Sequence, residues 1–329
     1  MSTIDQVALL AKVSVATVSR VINNSGNVSP ETRQRVMEAV ERLKYQPNAM
    51  GSLLRKEHTG MILGMLHSVD NPFFAPIVQG IERYAQANGM NVLISTTYGD
   101  PVRENRYLEL VKTHFVDGIL LITNTLTREA LNELSSRFPL VQVLEYLEDA
   151  DASRVTIDFY AAATELVEGL IAKGHRHIAF VHTGLEHIVS TQKKRQAYLD
   201  ALSRHGLSPI EIPGPHAFGY DSGAKLAQTL ISTHPEISAF FVTSDLIATG
   251  VISTLDTLGL RVPHDKAIVS FDNTIFATLS HPPLTSVDVN GDELGYQAMD
   301  YLYRRIHQKK YQEKLCLTLP YTIHHRDSE

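Results

Sequence analysis

Residues 3–46 read TIDQVALLAKVSVATVSRVINNSGNVSPETRQRVMEAVERLKYQ, and their periodicity decides the architecture of the N-terminus. From Thr3 onward Val7, Leu10 and Ala11 recur at helical spacing as one apolar stripe. Ser14 suits the N-cap of a second helix, in which Val15, Val18 and Val21–Ile22 recur. Asn23-Asn24-Ser25-Gly26-Asn27 is a loop of residues that tolerate turn geometry. Ser29-Pro30-Glu31-Thr32 then combines an N-cap with proline at the first helical position, and a third helix follows with Val36, Val40 and Leu43 facing inward. Three short helices with a tight turn between the first two predict a helix-turn-helix unit.

The second of these helices carries the chemistry of DNA recognition. Ser14, Thr17, Ser19 and Asn23 offer short polar groups that reach phosphate oxygens and set register. Arg20 has the forked donors that match guanine O6 and N7, and Val15 and Ala16 suit thymine methyls. Charge agrees. The whole chain carries a net −6, which argues against a polyanionic partner. Residues 1–59, however, hold eight Lys/Arg against five acids, while the remainder holds 22 against 31. A small basic head on an acidic body is the balance of a phosphate-binding module joined to a core with another task.

This head closely resembles the DNA-binding domain of LacI/GalR regulators, above all in VSVATVSRVIN and RVMEAVERLKYQPNA, and the likeness continues across nearly the whole chain. The resemblance implies that Val15, Ala16 and Arg20 read bases, and that Ser14, Thr17, Ser19, Asn23, Thr32, Tyr45 and Asn48 hold phosphates. It also implies a hinge helix in NAMGSLLRK that folds when two copies pair in the operator minor groove, Leu54 wedging between central base pairs and Arg55 adding charge. Pro47 ends the third helix before it. Gly51 and Ser52 stand where the family more often has alanine and arginine, and glycine costs roughly 1 kcal/mol of helix propensity. A weaker hinge helix is the expectation.

Beyond Thr59 the pattern changes to strands alternating with helices. MILGML (61–66), NVLIS (91–95), GILLIT (118–123) and LVQVLE (140–145) form one series of strand-length runs. HIAFVH (177–182), AFFVTS (239–244) and AIVSFD (267–272) form a second. The expected fold is α/β: an all-α helix-turn-helix head plus two doubly wound parallel-sheet lobes of the periplasmic-binding-protein type. The expected division is 1–46 for the head, 47–59 for the hinge and 60–329 for an effector-binding and dimerisation core. Within that core the N-lobe takes about 60–158 and 290–318, and the C-lobe about 159–289 and 319–329.

Ligands of such sheets bind beyond the carboxyl ends of the strands, which directs attention to the loops there. Asp70-Asn71-Pro72-Phe73-Phe74 brings two aromatics, Ser244-Asp245 and Asp272-Asn273 end two strands, and Asp158 lies near a crossover between lobes. Lys194 and Phe218 complete a set of carboxylates, a cation and flat rings of the kind that grips sugar hydroxyls and sugar faces, although nucleobases use similar groups. The family resemblance implies effector contacts at Phe73, Phe74, Asp158, Lys194, Phe218, Ser244 and Asp272, with a sugar or sugar phosphate as effector. Lys194 stands where the family usually has an arginine, so a point charge replaces a bidentate clamp. QKKRQAY and TIDFYAAA are similar to stretches of catabolite control proteins, family members that answer to a phosphorylated carrier protein. Asp292, Glu293 and Asp300 stand at the positions of the tyrosine, aspartate and arginine of that docking surface, and with an acid in place of the arginine that would pair with phosphate this partner is not expected.

Composition bounds the rest. A chain of 329 residues with 43% hydrophobic and 20% charged residues fits two or three globular domains. No apolar run approaches the roughly 20 residues of a membrane span, and MSTIDQVALLAKVS lacks the layout of a secretion signal. The lone Cys316 excludes an internal disulfide. These features predict a cytoplasmic protein. His177 and His182 fall on opposite faces of one run, so no metal is expected, nor a cofactor. No nucleophile elbow, phosphate loop or G-x-G-x-x-G appears, so an enzyme is not expected. A solute-binding protein for transport shares the core, but the basic head argues against it. The expectation is a homodimeric DNA-binding regulator, more readily a repressor of carbohydrate-utilisation genes, acting on an inverted repeat under effector control.

Overall fold

A computed structural model of the chain describes residues 2–46, 58–123, 125–182, 184, 188–212, 214, 219–308 and 313–329. Two compact units emerge, 1–59 and 60–329. The expectations for Asn48, Gly51, Ser52, Leu54, Arg55 and Phe218 lie outside the described residues.

The head consists of α1 (Ile4–Ala11), α2 (Val15–Ile22) and α3 (Pro30–Leu43). Each start is fixed by a hydroxyl. Thr3 and Gln6 form a reciprocal capping box, Ser14 accepts from the Thr17 amide, and Ser29 accepts from the Thr32 amide with Pro30 in the first turn. Lys12 and Lys44 close α1 and α3 in the left-handed conformation. Val7, Ala11, Val18, Val21, Val36 and Ala39 seal one core, and Leu43 and Tyr45 pack against it.

The core unit holds two six-stranded sheets. In chain order its elements are β1 (Met61–Leu66), α4 (Phe74–Ala87), β2 (Asn91–Thr96), α5 (Pro101–Lys112), β3 (Gly118–Leu121), α6 (Arg128–Arg137), β4 (Leu140–Val143) and β5 (Ser153–Ile157). There follow α7 (Phe159–Ala172), β6 (Ile178–Val181), α8 (Val189–Arg204), β7 (Ile210–Glu211), α9 (Tyr220–Thr233), β8 (Ala239–Val242), α10 (Asp245–Thr257), β9 (Ala267–Phe271), α11 (Ile275–Leu279), β10 (Thr285–Asp288), α12 (Gly291–His307), β11 (Cys316–Leu319) and β12 (Thr322–His324). The first sheet has the order β11-β5-β4-β3-β1-β2 and is parallel throughout. The second has the order β12-β10-β9-β8-β6-β7, parallel except where β12 joins β10. Buried strands such as Ile119–Leu121 and Phe240–Val242 are continuously apolar because helices cover both faces.

The chain therefore passes between the sheets three times, after β5, after β10 and after β11. Helix pairs stiffen each lobe by direct backbone contact. A Cβ on Gly295 of α12 would collide with the Ile77 carbonyl of α4, and one on Gly80 with the Asp292 carbonyl. Gly223 and Gly250 make the same approach between α9 and α10. The first pair fixes the direction of α4, whose N-terminus carries Phe73 and Phe74 to the end of β1.

Candidate DNA-binding face and effector cleft

On α2, Val18 and Val21 face the core, Ala16 and Arg20 are exposed on the opposite side, and Val15, one turn before Val18, is exposed at the edge of the apolar face, with Ser14 and Asn23 at the two ends. Arg20 makes no hydrogen bond or ion pair with the described residues; its stem passes Gly26, where an added Cβ would lie 3.5 Å from Cδ. Thr17, Ser19, Thr32 and Tyr45 are half-buried. The Ser14 and Thr17 hydroxyls are 2.9 Å apart, and Asn23 Nδ2 donates to the Ser19 carbonyl at 2.9 Å. Ser29 donates to the Thr32 hydroxyl at 2.9 Å at the start of α3. The outcome is a helix with one apolar inner face and an outer face of small apolar groups, hydroxyls and a guanidinium without a partner among the described residues. Base edges and phosphates require that combination.

In the core, Lys194 and Asp272 come together with Asp245 and with Glu145 of the other lobe, whereas Phe73, Phe74 and Asp158 show no direct contact with them among the described residues. Lys194 on α8 is only 5% exposed. Its Nζ donates to the Thr243 carbonyl at 3.0 Å and lies 4.0 Å from the centre of the Phe271 ring and 5.3 Å from that of Phe159. Burial pushes this ammonium below its usual range, and Asp272, Glu145 and Asp245 oppose the shift. Asp272, the first residue after β9, has φ 103, a left-handed backbone rare for a residue with a Cβ. The strain is held by the Asp272 amide donating to the Val287 carbonyl at 2.9 Å and by Asn273, whose amide donates to Ser286 Oγ at 3.0 Å. Burial raises the Asp272 carboxyl to about 8; Lys194 opposes that shift, and Asp245 and Glu145 add to it.

Other expected residues have structural duties as well. Ser244 caps α10, accepting from the Ile247 amide at 3.4 Å, and is 1% exposed. Asp158 caps α7 by accepting from the Ala161 amide at 2.9 Å, yet remains exposed at the first crossing between lobes. Phe74 is buried in the N-lobe core, and the half-buried Phe73 meets it edge-on with ring centres 5.2 Å apart.

Two carboxylates were not singled out as site residues by the sequence. Glu145 follows β4, where Leu144 at φ 68 turns the chain off the sheet, and its Oε2 accepts from the Ser190 amide of α8 at 3.2 Å. That helix has no side-chain cap of its own at Ile188, so a carboxylate of the N-lobe serves the N-terminus of a C-lobe helix. Glu148 joins the same helix through Lys193 at 2.6 Å. The only hint in the sequence is an acid ending an apolar run and a helix lacking a polar start. Asp245 is fully buried and accepts from Ser270 Oγ at 2.6 Å, Ser286 Oγ at 2.7 Å, and the Thr274 amide at 2.6 Å and Oγ1 at 3.0 Å. It ties α10 to β9, β10 and the start of α11, a wider role than a helix cap. Among the described residues no cluster suits a metal ion, and no helix is long and apolar enough to cross a membrane.

Comparison with known proteins settles the lineage. Residues 3–48 match the family model of bacterial regulatory proteins of the lacI family, and residues 57–325 match that of periplasmic binding proteins and the sugar binding domain of the LacI family. The chain belongs to the LacI family. Catabolite control protein A of Priestia megaterium is 35% identical over 99% of this chain and 98% of its own. The ribose operon repressor of Haemophilus influenzae is 34% identical over 93% of this chain and 92% of its own. A solved complex of the transcriptional regulator CelR with cellobiose superposes with TM-score 0.73 at 29% identity, covering all of both chains. This LacI-family member is thus a DNA-binding transcriptional regulator with a ligand-binding core of two parallel-sheet lobes.

Proposed function

We propose that the protein is a homodimeric, cytoplasmic repressor of carbohydrate-utilisation genes that binds an inverted-repeat operator and is controlled by a small-molecule effector held between the lobes of its core. Val15, Ala16 and Arg20 read bases in the major groove. Ser14, Thr17, Ser19, Asn23, Thr32, Tyr45 and Asn48 hold phosphates, and Leu54 and Arg55 engage the minor groove. The observation that carries the DNA half is the exposed Arg20, without a partner among the described residues, on the same helix as exposed Ala16 and Val15, while Val18 and Val21 are sealed in the core. The effector half rests on Phe73, Phe74, Asp158, Lys194, Phe218, Ser244 and Asp272. Among these, the support comes from the strained Asp272 and the cation of Lys194 converging from different elements. Ser244 and Asp158 act by fixing helices α10 and α7 at the rim.

Effector and operator then share one coupling free energy, so each alters the affinity of the other by the same factor. Selection of duplexes from a random library tests the reading: an enriched palindrome with two half-sites is expected. Arg20→Ala should retain weak, salt-sensitive binding without sequence preference. Enrichment of nothing, or undiminished preference in the variant, would overturn it.

A further inference from the structure

Side chains join the turn that carries Asp272 to the second crossing between the lobes. The Asn273 side chain lies between two groups of opposite kind. Its Oδ1 accepts from Arg326 Nη2 at 2.6 Å, and its Nδ2 donates to Asp288 Oδ2 at 3.1 Å. A guanidinium only donates and a carboxylate only accepts, so a single orientation of the amide serves both. Arg326 is itself anchored, its backbone amide donating to Thr285 Oγ1 at 2.8 Å and its Nη1 to the Leu284 carbonyl at 2.6 Å. Asp288 is the last residue of β10, and its other oxygen, Oδ1, accepts from the Asn290 amide at 2.7 Å. Asn290, left-handed at φ 56, is the N-cap of α12, the helix on which the chain enters the N-lobe. The bond to Asn290 alone is an ordinary Asx turn. What sets Asp288 apart is that its second oxygen reaches a side chain 15 residues back, beside Asp272. His324 Nε2, from β12, lies 3.5 Å from that same Oδ2.

We propose that Arg326, Asn273 and Asp288 are positioning residues of the effector site, and that the Asp288 carboxylate couples the aim of Asp272 to the movement of the lobes. The role in effector binding rests on the reading of the cleft as the effector site; the mechanical link does not. Asp272 and Asn273 are left-handed in succession, at φ 103 and 46. Residues with a Cβ visit that region singly, so this pair does not keep its shape by local preference and depends on the ties around it. The tie to Asp288 is charge-assisted, and so is the tie to Arg326, which places the two strongest side-chain bonds of the turn on Asn273. A rotation of α12 against β10 swings the Asn290 amide about Asp288. The carboxylate follows only by turning its other oxygen away from Asn273. Ligand held at Asp272 and displacement of the N-lobe are thereby linked, and the link acts in both directions.

The test is amide hydrogen exchange on the full chain, read in the segments 272–274 and 289–291. Asp288→Asn has one acceptor oxygen for two donors and sets an amide against an amide. Asn273→Asp sets two carboxylates face to face. Each should speed exchange in both segments by at least about tenfold. The double variant Asn273→Asp/Asp288→Asn restores every donor–acceptor pair: the guanidinium and the new amide donate to the carboxylate at position 273, and the amide oxygen at position 288 accepts from Asn290. It should return both segments to wild-type rates, a rescue that loss of packing would not give. If Asp288→Asn unsettles the whole fold, Arg326→Lys, which keeps the charge and loses the fork, should by itself speed exchange at 272–274. Faster exchange at 289–291 alone, or a double variant no better than either single one, overturns the link. Calorimetric titration with D-ribose, D-glucose and D-glucose 6-phosphate addresses the effector role. A compound that wild type binds should bind at least about tenfold more weakly to Asp288→Asn and recover in the double variant. Unchanged affinity in Asp288→Asn refutes the positioning role. If wild type binds none of the three, that counts against the reading of the cleft, and the exchange rates alone decide the mechanical link.

Discussion

The contact between α4 and α12 gives a prediction whose size follows from geometry. In Gly295→Ala the added methyl would fall well inside van der Waals distance of the Ile77 carbonyl and 3.0 Å from both the Ile77 carbonyl carbon and the Ile81 amide nitrogen. These are backbone atoms of a packed helix, so no side chain can swing aside. Regaining 3.4 Å requires the helices to part by on the order of 1 Å, and a gap of about 0.5–1 Å forfeits roughly a quarter to a half of each dispersion contact across it. Ile77, Ile81, Leu294 and Met299 are all fully buried around this crossing. With about 1.5–3 kcal/mol attached to burying each such side chain, the loss is about 3–4 kcal/mol. Better helix propensity returns about 1 kcal/mol, leaving a net destabilisation of about 2–3 kcal/mol. At roughly 2–4 °C per kcal/mol, the core should melt about 5–10 °C lower by calorimetry. Gly169→Ala in α7 is the control, since nothing lies within 4 Å of a Cβ there and the same propensity gain should raise the melting temperature. If both variants melted higher, the backbone contact would not be what holds α4, and the placement of Phe73 would need another cause.

Three further outcomes follow from buried polar groups. Asp245→Ala removes the acceptor for Ser270, Ser286 and Thr274 inside a sealed region, so urea unfolding should show a loss of about 3–5 kcal/mol; a loss below about 1 kcal/mol would mean that water replaces the carboxylate. The Asp272 carboxyl is raised from its unfolded range to about 8, so its contribution to stability is fully present in acid and falls as pH rises through that interval. The difference in unfolding free energy between wild type and Asp272→Asn should therefore drift in favour of the variant between pH 5 and 8, by at most about 1.4 kcal/mol per pH unit; a flat difference curve contradicts the shift. Lys194→Arg, though charge-conserving, forces a larger group with five donors into a space that supplies one carbonyl and two rings, and should lower stability by about 1–3 kcal/mol; an unchanged melting temperature would show that the cleft has room for the fork.

The parts of the fold that were legible in the sequence are those written in local periodicity. MILGML at 61–66 is β1 to the residue, because a strand covered on both faces must be apolar at every position. Ser14 and Ser29-Pro30 marked helix starts for the same local reason, a hydroxyl or a ring placed against the first free amides. The strand β5, SRVTI, was not read as one: it is short, and its Arg and Thr disguise burial that comes from its neighbours β4 and β11. β11 and β12 escaped similarly, being edge strands with exposed alternate residues. In the site, residue types were readable but partners were not. Lys194 was identified, yet its carbonyl lies 49 residues away on another element.

What aims the site residues is a feature that local preference argues against. Tyr98, Leu144 and Asp272 each follow closely on the end of a strand in a left-handed conformation, at φ 54, 68 and 103, where glycine or asparagine would be the expected choice. Each is fixed by its own amide donating to a neighbouring segment: Tyr98 to His67 at 2.8 Å, Leu144 to Val155 at 2.7 Å, Asp272 to Val287 at 2.9 Å. The bond comes from sheet register, and register is a property of two distant segments at once. Leu144 thereby turns Glu145 from the sheet toward α8, and Asp272 stands at the end of β9, its carboxylate accepting no hydrogen bond from the described residues. Strain of about 1–3 kcal/mol per residue persists only where surrounding structure over-determines it. Three such residues at strand ends, each tied to a neighbouring segment, mean that the loops they begin are held by the sheets rather than by local preference. Replacing Leu144 with glycine would relieve that strain and loosen the turn that aims Glu145 at the Ser190 amide.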